Sequence, residues 1–225
     1  MARDNDSIDD RIDCLRTDRI PATLISTSGY HCEVWRAAGT IIREDERRHL
    51  DVVIKVHRTG CTWPETRVIR REYTRLSREL GHLVPETVYI ATRVNEVYSV
   101  VALADAVNRW FDVANPSNED EAVPLFQRLR RARDDLAMFI ERAEAWERED
   151  RVIDLYGREN LVLDSNRHLR YIDSFGVFFY ADLLNAIDEP DPALQQRIDL
   201  SRRRLDYLRH LLEASAKPPR HVRIS

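Results

Sequence analysis

Asn160 and Asp173 bracket two short apolar runs, Leu161 to Leu163 and Leu169 to Ile172, separated by the turn-forming residues Asp164, Ser165 and Asn166. Such runs around such a turn predict a β-hairpin. Pairing its strands sets Asn160 and Asp173 side by side at the open end. A carboxamide oxygen and a carboxylate held together are hard oxygen donors, the kind Mg²⁺ takes while it carries nucleotide phosphates. Asp154, a few residues upstream, faces the same space and is placed to orient or deprotonate an attacking hydroxyl. On this segment alone, the same residues could equally do no more than flank a hairpin.

A second signal is the choice of base. Arginine is used almost throughout, and lysine appears only at Lys55 and Lys217. Lys55 lies inside the apolar strand Val52-Val53-Ile54-Lys55-Val56, a place for a compact ammonium rather than a guanidinium fork. Compositional drift toward arginine with one residual lysine accounts for the count as well.

These residues need elements to hold them. Ser7 caps a short amphipathic helix running to about Ile20, where Pro21 stops it. Three antiparallel strands follow, Ala22 to Ser26, Glu33 to Ile42 and Asp51 to His57, with Arg43 to Arg48 as a charged turn. After Pro64, apolar residues at Ile69, Tyr73, Leu76 and Leu80 recur at helical spacing until Gly81. Two further strands are expected at Thr87 to Ala91 and Val97 to Leu103. Residues 104–120 lose periodicity and gather Asn, Asp and Pro, which marks a connector. Beyond it, Ala122 to Trp146 reads as one long helix and Pro192 to Leu212 as another, the latter with Leu194, Ile198, Leu205, Leu208 and Leu212 inward. The division is therefore a helical extension over 1–20, a strand-rich region over 21–103, a connector over 104–120, a helical region over 121–215 and a disordered tail over 216–225.

The segment from Asp154 to Gly176 resembles the catalytic loop and metal-binding turn of the protein-kinase superfamily, H-R-D-L-x-x-x-N followed by two strands and D-F-G. Asn160 and Asp173, thirteen residues apart, match the family's separation. The resemblance implies an α+β, two-lobed kinase-like fold: a small antiparallel-sheet amino lobe and a helical, shortened carboxyl lobe, with ATP and Mg²⁺ between them. It implies that Asn160 and Asp173 are metal ligands and Asp154 the catalytic aspartate. Val-Ile-Lys at Lys55 is similar to the family's V-A-I-K, which makes Lys55 the phosphate-binding lysine and Glu72, seventeen residues on, its helical partner. Thr27, Ser28 and Gly29 stand where the glycine-rich loop would be, Val34 matches its closing valine, and Leu103 opens the hinge whose backbone reads adenine.

The chain departs from the family pattern at several points. H-R-D appears as Val152-Ile153-Asp154, and Asp154 precedes Asn160 by six residues where the family has five. Gly157 is the residue expected to absorb the extra one as a bulge. Asp173 is followed by Ser-Phe-Gly, and no A-P-E segment follows. These features point to compact, divergent bacterial kinases of the effector-like or toxin-like kind. The implied activity is transfer of the γ-phosphoryl group of ATP to a hydroxyl, first on a protein and second on a small metabolite. A nucleotide-binding pseudokinase acting as an interaction module, and a protein AMP-transferase on the same fold, are the alternatives.

Composition sets the outer bounds. A net charge of −4 from 35 basic and 39 acidic residues argues against a nucleic-acid surface. No apolar run reaches membrane-span length and the amino terminus has no secretory core, so the expected location is cytoplasmic, or outside the cell by a route without a readable signal. Cys14, Cys32 and Cys61 lie far apart and read as reduced thiols.

Overall fold

The computed structural model describes residues 22–26, 32–43, 46–94, 96–157, 159–182 and 191–216. The expected helix over 7–20 and the tail after residue 216 lie outside them. The chain divides into two compact units, one of Met1–Arg75 with Pro85–Ala106 and one of Leu76–Val84 with Val107–Ser225. The secondary structure is mixed α and β.

In the first unit, β1 (Thr23–Ser26), β2 (Cys32–Arg43), β3 (Glu46–His57), β4 (Thr87–Val94) and β5 (Val97–Asp105) form one antiparallel sheet in the order β1-β2-β3-β5-β4. The two-residue period of a strand separates its faces. Ala37, Ile54 and Val101 form a buried cluster on one face, with Trp35, Val52, Val56 and Leu103 packed around it. Val34, Lys55, Ala102 and Tyr89, in register across four strands, occupy the other. The expected charged turn is shorter than its sequence suggests, because β2 and β3 stay paired as far as Arg43 and Glu46.

Helix α1 (Trp63–Leu80) starts on a capping box: Thr62 N–H and Oγ1 both donate to the Glu65 carboxylate at 2.7 Å, and Glu65 N–H reaches back to Thr62 Oγ1 at 3.5 Å. It ends where Gly81 takes a φ of +55°, a conformation glycine adopts at least cost. Tyr73 is buried. Its ring meets Tyr89 edge-on at 5.4 Å, and its hydroxyl donates to Pro85 O at 2.7 Å and accepts from Thr87 Oγ1. That fixes the helix over the Tyr89 face of the sheet.

In the second unit, β6 (Arg109–Asp112), β8 (Leu161–Asp164) and β9 (Leu169–Tyr171) form a three-stranded sheet in the order β6-β8-β9, and β7 (Arg151–Ile153) pairs with β10 (Phe178–Tyr180). Helices α2 (Glu119–Arg128), α3 (Arg130–Glu147) and α4 (Pro192–Ala216) enclose them. The core holds Phe126, Phe139, Trp146, Tyr171 and Phe175, with Trp146 donating its indole N–H to Glu79 at 2.6 Å.

Three sequence expectations change here. The connector over 104–120 is not structureless: it contains β6, which finds its partner in the hairpin strand β8. The single helix expected from Ala122 to Trp146 is two, broken at Leu129, whose ψ of 76° is not helical. On α4 the inward residues include Leu211, fully buried, while Leu212 is only half-buried. Among the described residues no helix is long and apolar enough to cross a membrane.

Candidate functional site

Three of the sequence-predicted site residues meet in the second unit. The hairpin β8–β9 has the register Leu161↔Tyr171, and Ile172 N–H donates to Asn160 O at 2.9 Å, so Asn160 and Asp173 leave its open end together. Asp173 Oδ1 accepts the N–H groups of Ser174 at 2.7 Å and Phe175 at 3.3 Å, which leaves Oδ2 facing Asn160 Nδ2 at 3.4 Å. Asp154 arrives from the other sheet. It follows β7 directly, and its N–H donates to Val177 O at 2.9 Å, just before β10. The Asp154 carbonyl then accepts from Asn160 Nδ2 at 3.1 Å and from the buried Tyr171 hydroxyl at 3.0 Å.

Asp154 is 6 % exposed. Its Oδ1 accepts from Tyr156 N–H at 2.7 Å and Gly157 N–H at 3.3 Å. Burial, then the neighbouring Asp173 charge, push its pKa up to about 7, against the pull of those two amides. A buried carboxyl beside a second acid favours its protonated form.

Among the described residues of this loop the left-handed backbone falls at Glu159, at a φ of +61°, and not at Gly157. Gly157 is needed for space: a Cβ there would lie 2.5 Å from Asn160 Oδ1. Gly176 of Ser-Phe-Gly turns the chain at a φ of +62°.

The donor set fits a hard dication. Two carboxyls and a carboxamide converge, and their mutual repulsion is what a divalent charge relieves. Among the described residues no cluster of three His, Cys, Asp or Glu side chains exists. A cation held here would take its remaining ligands from phosphate and water, as Mg²⁺ commonly does.

The other predicted residues belong to the first unit. Lys55, half-buried on the central strand β3, stands opposite Val34 on β2 and Ala102 on β5. Glu72 is half-buried on α1, next to Tyr73. Lys55 shares the sheet face of Tyr89, which α1 covers through Tyr73. Leu103 is inside β5, paired with Ile54 on one side and Val88 on the other, so it lies on the face opposite Lys55 and the strand continues to Asp105. Thr27, Ser28 and Gly29 lie outside the described residues.

No family model matches this chain, and no curated protein matches it.

Two residues of the site region had no sequence signal. Ser201 and Arg204 on α4 reach the loop after Asp154, Ser201 Oγ accepting from Leu155 N–H at 3.2 Å and Arg204 Nη1 donating to the carbonyls of Tyr156 at 2.9 Å and Gly157 at 3.0 Å. Within Ser201-Arg202-Arg203-Arg204, only the 3.6-residue period puts Ser201 and Arg204 on one side.

Proposed function

We propose that the protein is an ATP- and Mg²⁺-dependent phosphotransferase of kinase-like design, moving the γ-phosphoryl group to a hydroxyl acceptor. The observation that carries this reading is the meeting of Asp154, Asn160 and Asp173, brought from two different sheets to one carboxyl–carboxamide group. When bound, Mg²⁺ at Asn160 and Asp173 supplies charge neutralisation for the phosphates. Asp154 accepts and orients the acceptor hydroxyl. Lys55 binds the α- and β-phosphates and Glu72 holds it. Support for that pair comes from the ladder that sets Lys55 on the α1-covered face of the sheet.

Incubation with γ-labelled and α-labelled ATP, with and without Mg²⁺, tests the reading. Mg²⁺-dependent transfer of γ-label is expected, to protein hydroxyls first. Transfer of α-label would replace it with nucleotidyl transfer, and binding without transfer would leave a nucleotide-binding module.

The first unit carries its own prediction. Glu72→Ala should weaken ATP binding about tenfold, the worth of one charge-assisted contact, while Glu72→Gln keeps part of it. Calorimetric titration with ATP and Mg²⁺ measures this, and an unchanged Kd for Glu72→Ala would remove Glu72 from the site.

A further inference from the structure

Between β7 and β8 the residues Leu155 to Gly157 belong to no strand or helix, so their backbone groups need partners from elsewhere. Two peptide units of this loop are gripped at both ends. In the unit joining Leu155 to Tyr156, the carbonyl accepts from Arg204 Nη1 and the N–H donates to Asp154 Oδ1. In the unit joining Tyr156 to Gly157, the carbonyl again accepts from Arg204 Nη1, at 2.9 Å, and the N–H again donates to Asp154 Oδ1, at 3.3 Å. A cation at the carbonyl end and a carboxyl at the amide end align both dipoles in one direction, and hydrogen bonds in such a chain strengthen one another. Ser201, fully buried one turn earlier on α4, fixes the start of the loop through Leu155 N–H.

We propose that Arg204 is the positioning residue of Asp154: acting from α4 through two aligned peptide units, it holds the Asp154 carboxyl in its reactive place. This deepens the phosphotransfer reading and rests on it for the catalytic meaning of Asp154. The guanidinium uses one nitrogen, Nη1, for all three carbonyls, those of Leu155, Tyr156 and Gly157. The task is thus donor placement rather than fork recognition, and a lysine ammonium with three N–H groups is a chemical substitute on a shorter stem.

The test compares Arg204→Gln, Arg204→Lys and, as a control on the same helix, Arg209→Gln, which breaks the pair with Glu144. Hydrogen exchange at the Tyr156 and Gly157 amides is read beside steady-state turnover of γ-labelled ATP. Arg204→Gln should speed exchange at both amides at least about tenfold and lower kcat about 10²-fold with KM for ATP unchanged, as a displaced catalytic group does. Arg204→Lys should recover at least about tenfold of the lost kcat, and Arg209→Gln should change neither readout. Unchanged exchange at the two amides in Arg204→Gln, equal loss in Arg209→Gln, or an unaltered kcat would overturn the proposal. If Arg204→Gln does not fold, Arg204→Lys carries the comparison, with a lowered kcat at constant KM as the expected result. A wild-type protein that transfers no label defeats the phosphotransfer reading, and the exchange rates alone then decide whether Arg204 holds the loop.

Discussion

Replacing Asp154 by Asn is expected to make the protein more stable above neutral pH and at least about 100-fold slower. The stability half follows from linkage. The carboxyl pKa is about 7 in the folded chain against an ordinary value of 3.8, raised by burial and by Asp173. Between those values the native state keeps a proton that the unfolded state has lost, so stability falls as pH rises from about 4 to about 7 and is flat above. The penalty at pH 8 is on the order of 2–4 kcal/mol. Asn removes it. Its Oδ1 still accepts from Tyr156 and Gly157, and its amide can donate to Asp173. Thermal melts of the two proteins between pH 4 and pH 8 should agree at the acid end and separate by roughly 5–10 °C at pH 8. ATP binding should survive while transfer is lost. Parallel melting curves at all pH values would show that burial and Asp173 do not raise the Asp154 carboxyl.

The second large effect is expected at Asp173. Asp173→Ala should abolish Mg²⁺-dependent turnover, because the chain supplies few hard oxygen donors here and Asp173 is the one that faces Asn160. Folding should survive, since the variant forfeits the Ser174 and Phe175 amide bonds and the long contact with Asn160 Nδ2, a loss on the order of 1–3 kcal/mol. Asp173→Asn is the sharper probe. It keeps an acceptor for both amides yet removes the charge, so the Asp154 carboxyl should titrate lower than about 7, though still above the ordinary range because burial, the larger cause, remains. Carbon-13 titration of the Asp154 carboxyl reads this directly. Wild-type Mg²⁺-dependent activity in folded Asp173→Ala would remove the metal assignment.

The elements legible from sequence were those whose partners are close along the chain. The β2–β3 and β4–β5 hairpins, α1 and the hairpin over 161–171 announce themselves by period and by turn residues. Asn160 and Asp173 could be set together because one hairpin joins them. What stayed hidden depends on distant partners. Strand β7 is three residues long and begins with a buried arginine that sits beside Phe178, 25 residues or more away, so no local pattern marks it. Strand β6 is hidden among turn-forming residues and exists through pairing with β8. Leu129 interrupts the helix with neither Gly nor Pro to signal it. Gly157 is expected from sequence to ease a bulge in the loop over 156–159, yet the described left-handed residue there is Glu159, while a Cβ at Gly157 would collide with Asn160, a contact no local pattern announces. The start of α1 is placed from Pro64 and the apolar spacing alone; the Thr62/Glu65 capping box that marks it has a local sequence signature, Thr-x-x-Glu, which that reading passes over.

The grip of α4 on the loop after Asp154 imposes an order on the protein's birth. A ribosome that has translated as far as Tyr180 has already placed Asp154, Asn160 and Asp173 in the chain, together with all the strands around them. It has not yet translated Ser201 or Arg204, so the Leu155 N–H and the carbonyls of Leu155, Tyr156 and Gly157 still lack the partners that hold them. Domains emerge amino-terminal part first, and here the acids come out well before the helix that holds their loop. On the proposal that Arg204 holds this loop, a chain lacking α4 carries the acidic residues without the contacts that position Asp154, and the positioned arrangement can form only after Arg204 has been synthesised.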